Sequence, residues 1–135
     1  MGRILAIDYG LKRTGMAWSD VGRRVALPLA GVPTREVWAQ LDQLVSEVSL
    51  VLVGYPRSLR GEPTEMTEAV EAFIRELKRR YPHLEVRPVD ERFSSQGAAV
   101  LLRQQPRRIR QQKAQHDRTA AWLLLHTYLL GREDV

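Results

Sequence analysis

Three acidic positions stand where an apolar pattern begins or ends. Asp8 closes the run Ile4-Leu5-Ala6-Ile7, Asp90 and Glu91 together close Arg87-Pro88-Val89, and Asp117 opens a strongly apolar helical pattern. A carboxylate at the end of a buried strand emerges at the rim of a sheet, where ligands of open α/β sheets gather. Neighbouring strand residues point to opposite faces, so only one of Asp90 and Glu91 can share a site with Asp8. Three carboxylates on one rim repel one another unless a cation compensates them, so their convergence predicts bound divalent metal. Oxygen-only ligands favour Mg²⁺ or Mn²⁺. Two such ions, roughly 3.5 to 4 Å apart, activate a water and stabilise the leaving oxygen in phosphodiester hydrolysis. The plainer readings are a turn-initiating Asp8 before Gly10 and a helix-opening Asp117 favoured by the dipole. No His-Glu-x-x-His zinc motif, Ser-His-Asp set or phosphate-binding loop offers competing chemistry, and His83, His116 and His126 are isolated surface or core fillers.

Charge placement agrees with a phosphate-bearing partner. The net charge is +5, from 21 basic and 16 acidic residues. Arg103, Arg107, Arg108, Arg110, Lys113 and Arg118 face only Asp117 between 103 and 118, a local excess equal to that of the whole chain. A basic segment on a neutral body suits a polyanion, most often nucleic acid, because phosphate contacts release counterions. The plainer alternative is a solvated basic loop.

The elements that must position these groups follow from 135 residues, 44% hydrophobic and 27% charged, the composition of one globular domain spanning 1–135. With no cysteine, disulfides, thiolate metal sites and cysteine nucleophiles are excluded. No apolar run reaches the roughly 18 residues of a membrane span, and the short run after Met1-Gly2-Arg3 lacks the form of a signal peptide, so the expectation is a cytoplasmic protein without a membrane partner. Arg3 to Tyr9 and Thr14 to Ser19 read as strands around a tight Gly10-Leu11-Lys12-Arg13 turn. Val25 to Val32, interrupted by Pro28, reads as a third strand near an edge. Thr34 is positioned to cap a helix carrying Val37, Trp38, Leu41, Leu44, Val45 and Val48. Leu50 to Gly54 is a central strand and Tyr55 to Pro63 a loop. Thr64 caps a second helix, with Glu65, Glu68 and Glu71 early and Lys78, Arg79 and Arg80 late. Leu84 to Val89 is a fifth strand, and a short helix capped by Ser94 or Ser95 runs to Leu102. Gln104 to Gln115 reads as a mobile loop and His116 to Leu130 as the last helix. The order implies an α/β fold: a five-stranded mixed sheet, made of a three-stranded antiparallel meander plus two strand-helix units and flanked by helices.

Four segments carry a resemblance: Ile7-Asp8-Tyr9-Gly10-Leu11-Lys12-Arg13-Thr14-Gly15; Val53-Gly54-Tyr55-Pro56 with Gly61; Val89-Asp90-Glu91-Arg92-Phe93-Ser94; and Asp117-Arg118-Thr119-Ala120-Ala121. In that order and spacing the chain resembles the YqgF or RuvX type of RuvC-like proteins with an RNase H-like fold, described as pre-16S rRNA nucleases or Holliday-junction resolvase homologues. The resemblance implies an acidic site of Asp8, Glu91 and Asp117 holding Mg²⁺ or Mn²⁺, with Asp8 bridging two ions. It makes Lys12, Arg13 and Arg92 candidates for phosphate contact. Arg57 and Arg60 make basic a loop that is neutral or acidic in relatives, which also suits nucleic acid, and Arg107, Arg108, Arg110, Lys113 and Arg118 extend the basic surface. The implied activity is cleavage of structured RNA or branched DNA, in 5′-end maturation of 16S rRNA within a pre-ribosomal particle, in junction resolution, or both. Resolution of two strands needs a two-fold dimer, whereas RNA trimming is open to a monomer. Two rivals stand beside it: a non-catalytic RNA or DNA binder, and a phosphate-binding relative of sugar kinases and actin-like ATPases, which need two such domains.

Overall fold

Residues 2–29, 31–56, 64–90 and 113–133 are described in a computed structural model, with backbone alone over 113–119 and 132–133. The apolar runs Ile4 to Ile7 and Leu50 to Val53 build the strands at the centre of the sheet: β1 (Arg3–Asp8) and β5 (Val48–Tyr55) pair in parallel. β2 (Arg13–Ser19) returns antiparallel to β1, and β6 (Glu85–Asp90) runs parallel to β5 on the other flank. The third apolar run divides in two. β3 (Ala26–Pro28) pairs with Ala17 to Ser19, whereas β4 (Val32–Pro33) pairs with Arg13 and Thr14, so among the described residues the sheet has six strands rather than the five expected. Its order is β3-β2-β1-β5-β6 with β4 set on β2, a mixed sheet whose antiparallel half is the anticipated meander.

Strand alternation gives the sheet two apolar faces. Leu5, Ile7, Met16, Val51, Val53 and Val86 lie on the face covered by α1 (Val37–Leu44) and α2 (Thr67–Arg80), against Val37, Leu41, Val70, Phe73 and Leu77. Ile4, Ala6, Ala17, Leu50 and Leu52 lie on the other face, beneath α3 (Lys113–Glu133) and its stripe of Ala121, Leu124, Leu125 and Leu129. Full burial of each such leucine contributes about 1.5–3 kcal/mol. The Trp122 indole donates to the Ala26 carbonyl at 2.8 Å, fastening α3 to the edge strand.

Four expected helix boundaries move. The first helix stops at Leu44, a 3-10 turn covers Val45–Glu47, and Val48 opens β5. Neither threonine caps its helix: α1 is preceded by a 3-10 turn over Thr34–Glu36, and α2 takes Met66 as N-cap without a side-chain bond. At α2 the Thr67 hydroxyl instead accepts from the Thr64 amide at 2.7 Å and donates to the Pro56 carbonyl at 3.0 Å, tying the helix start to the end of β5. Residues 113–115, expected in a loop, are the first of α3. The expected helix after Ser94 and the rest of the Gln- and Arg-rich stretch lie outside the described residues.

The charge order along α2 is as anticipated, with Lys78, Arg79 and Arg80 in its last turn. Glu76 accepts from Arg79 and Arg80, which together hold its carboxyl down at about 2. Just beyond, the Tyr81 hydroxyl donates to Asp42 of α1, joining the two helices on that face. Burial first, then the Asp42 carboxylate, pushes the phenol from 10.0 up to about 12. A phenol whose folded value is raised contributes stability that is complete below pH 10 and is lost as pH climbs through about 12. Tyr81→Phe is therefore expected to cost about 1–2 kcal/mol in denaturant unfolding at neutral pH and to remove a step at about 12 from the tyrosinate absorbance titration.

Candidate active site at the carboxyl rim of the sheet

The parallel strands β1, β5 and β6 all end at one rim, in register through Ile7, Val53 and Pro88. Asp8 is the last residue of β1 and half-buried. Alternation from Ile4 and Ala6 sets it on the face that α3 covers. Its partner on β2 is Gly15, and the register Ile7 to Val53, continued by one residue, sets Gly54 beside it on β5. The two neighbouring strands therefore present glycine at the positions beside Asp8. The neighbourhood fits a hard cation, since the sequence offers oxygen donors and no thiol there.

Asp90 ends β6 opposite Tyr55, exposed, on the face of Val86 and Val53. That is the α1 and α2 face, opposite to Asp8. Val89, the neighbour of Asp90, packs instead into the α3-side core. Asp117 belongs to the start of α3, one turn before Ala121, which is fully buried against Asp8's face of the sheet. Glu91 lies outside the described residues, as do Arg57, Arg60, Arg92, Arg107, Arg108 and Arg110, and for Lys113, Asp117 and Arg118 the backbone alone is described. Among the described residues no three His, Asp or Glu side chains group as a metal centre.

The turn from β1 to β2 carries Lys12 and Arg13 at the same rim. Gly10 closes it, because a Cβ there would stand 2.4 Å from the Arg13 carbonyl oxygen. Leu11 is 69% exposed at the tip and Lys12 is exposed beside it. Arg13 is half-buried and its guanidinium reaches the Gly31 carbonyl at 3.5 Å. Thr34, read from the sequence as a helix cap, lies under this turn. Its hydroxyl donates to the Gly10 carbonyl at 2.6 Å and its amide to the Lys12 carbonyl at 2.9 Å. Sequence gave no sign of this role, since Thr before a helical pattern is the ordinary signature of a cap.

A mixed sheet opening with an antiparallel meander, continuing in parallel and presenting an acid at the end of its first strand defines an α/β protein of the RNase H-like fold. The family described as "RuvX: Holliday junction resolvase" matches residues 2–131. The chain belongs to that family. It is 41% identical over 133 residues to a protein of Bacteroides thetaiotaomicron, covering 96% of each chain, and 41% identical over 137 residues to one of Parabacteroides distasonis, covering 98% of each. A protein of Chlorobium chlorochromatii is 41% identical over 131 residues, covering 94% of each. All three bear the name "Putative pre-16S rRNA nuclease". A solved structure described as YeaZ from Pseudomonas aeruginosa aligns with a TM-score of 0.48 at 16% identity, over 77% of this chain and 50% of that one. No described helix is long and apolar enough to cross a membrane.

Proposed function

We propose that this protein is a metal-dependent nuclease that hydrolyses phosphodiester bonds in structured nucleic acid, with 5′-end processing of pre-16S rRNA as its principal role and Holliday-junction resolution as a second. The names borne by full-length relatives support the activity and the RNA. What carries the chemistry is Asp8, half-buried at the rim between two glycine positions and followed at once by a basic turn.

Asp8, Glu91 and Asp117 hold Mg²⁺ or Mn²⁺ in this reading. Asp90 is set aside because it sits on the face away from Asp8, and strand alternation favours its successor. When bound, two ions supply an activated water and neutralise charge on the leaving oxygen. The chain itself does the rest. Lys12 and Arg13 grip a phosphate beside the scissile one, and Arg57, Arg60, Arg92, Arg107, Arg108, Arg110, Lys113 and Arg118 extend that grip along the strand. Glycines at the rim let the backbone of the nucleic acid approach Asp8. The setting is the cytoplasm, where a pre-ribosomal particle is available as partner.

Metal removal tests the reading. Purified protein is incubated with an end-labelled rRNA precursor and with a four-way DNA junction, in Mg²⁺, in Mn²⁺ or in EDTA. The expected result is cleavage in either metal and none in EDTA, with the RNA preferred. Salt-sensitive binding without cleavage under every condition defeats the proposal and makes the protein a non-catalytic binder of the same fold.

A further inference from the structure

The β1–β2 turn is held from below by one residue outside the segments that carry the family resemblance. Thr34 uses its backbone amide and its hydroxyl on the carbonyls of Lys12 and Gly10, the two residues that flank Leu11. Its hydroxyl also lies 2.9 Å from that of Thr14, which is completely buried. A hydroxyl has one proton, and that of Thr34 goes to Gly10, so Thr14 is the donor in this pair. Three hydrogen bonds thus converge on Thr34, and its position is itself fixed, because β4, which immediately precedes it, pairs with Arg13 and Thr14. The turn has no slack on its own side either, since Gly10 abuts the Arg13 carbonyl. The short span of backbone from Gly10 to Lys12, carrying an exposed lysine, is thereby ordered before any ligand arrives. Such preorganisation lowers the ordering cost of binding.

We infer that Thr34 is a positioning residue for nucleic-acid binding, acting through the turn to present Lys12 to a phosphate next to Asp8. The inference rests on the nucleic-acid reading given above and adds to it a residue that touches neither substrate nor metal. Thr34→Val keeps the shape and the amide bond but removes the hydroxyl, leaving Gly10 and Thr14 without that partner. Thr34→Ser restores it. A threonine that merely stabilises the fold changes the melting temperature in Thr34→Val and leaves affinity alone. A brace changes affinity, and only while Lys12 is there to be positioned.

The test is a double-mutant cycle read by equilibrium binding of the full-length protein to a four-way DNA junction and to an rRNA precursor fragment, with thermal midpoints and cleavage in Mg²⁺ recorded in parallel. Expected are a weakening of about fivefold in Thr34→Val, affinity within about twofold of wild type in Thr34→Ser, and no additional loss when Thr34→Val is added to Lys12→Gln. Wild-type affinity in Thr34→Val, or an equal loss in the presence and absence of Lys12, overturns the inference. If the cycle is coupled but the wild type cuts nothing, the brace stands and the nuclease reading falls. If the wild type cuts and the cycle is additive, the nuclease reading stands and the brace falls. A wild type that binds neither probe overturns both.

Discussion

Asp8→Asn is expected to lower metal-dependent cleavage by at least about a hundredfold while leaving the thermal midpoint within a few degrees of wild type. The substitution is nearly isosteric and sits at the end of β1, where the side chain is half-buried rather than locked in the core. Asparagine keeps one carbonyl oxygen but loses the negative charge, and hard cations are held chiefly by anionic oxygen. Activity and metal affinity should therefore fall together. Stabilisation of the wild type by Mn²⁺ in a thermal melt should shrink or vanish in the variant. Asp20→Asn is the matched control. Asp20 accepts the amides of Arg24 and Val25 at 2.7 and 2.9 Å, which keeps its carboxyl below the usual range, and it folds the β2–β3 hairpin far from the rim. That variant should be less stable, by a deficit that is complete above the ordinary carboxylate range and shrinks as pH falls through and below it, yet cleave normally. If Asp8→Asn cuts as fast as wild type, Asp8 holds no catalytic metal.

The acid at position 8 was legible because its strand is apolar on both faces, so a single carboxylate at its end is conspicuous. The choice between Asp90 and Glu91 was not, because adjacent residues differ only in phase and phase is set by tertiary packing. Val86 on one face and Val89 on the other place Asp90 on the face away from Asp8. Phase also explains the helix boundary at Val48. This residue continues the three-four spacing of Leu41, Leu44 and Val45, but the register of β5 shifts between its pairings with Arg3 and Ile4. The extra residue at Ser49 lets Val48 share the α1 side with Val51, so a bulge made one valine fit two patterns. The split of the third strand has a similar origin. Pro28 lacks a donor, the Leu29 amide still reaches the Met16 carbonyl at 3.0 Å, and the chain pairs with β2 again at Val32, opposite Thr14 and nearer the rim. That second pairing delivers Thr34 to the turn. Local sequence named Thr34 a cap because the partner that claims its hydroxyl, the Gly10 carbonyl, is 24 residues away.

One substitution, glycine to alanine, is expected to act with opposite sign at two positions, and the pair separates the rim from the frame that supports it. At Gly131, within α3, an added Cβ meets nothing within 4 Å. Alanine there reduces the freedom of the unfolded chain and favours the helix, so Gly131→Ala should stabilise the protein by about half a kcal/mol with cleavage unchanged. At Gly10 the added Cβ would stand 2.4 Å from a backbone oxygen of Arg13. A flexible side chain could swing aside, but a carbonyl in a closed turn moves only with the turn. The turn is in turn bonded to Thr34 on both sides of Leu11. Relief of the clash therefore means giving up at least one of those bonds, and the expected cost is about 1–3 kcal/mol in denaturant unfolding. Because the same movement displaces Lys12 and lies two residues from Asp8, Gly10→Ala should also weaken nucleic-acid binding by about tenfold in protein that is still folded at the assay temperature. Equal stability changes at the two glycines, or a Gly10→Ala protein that binds as tightly as wild type, would show that the turn adjusts freely and that its geometry does not govern substrate contact.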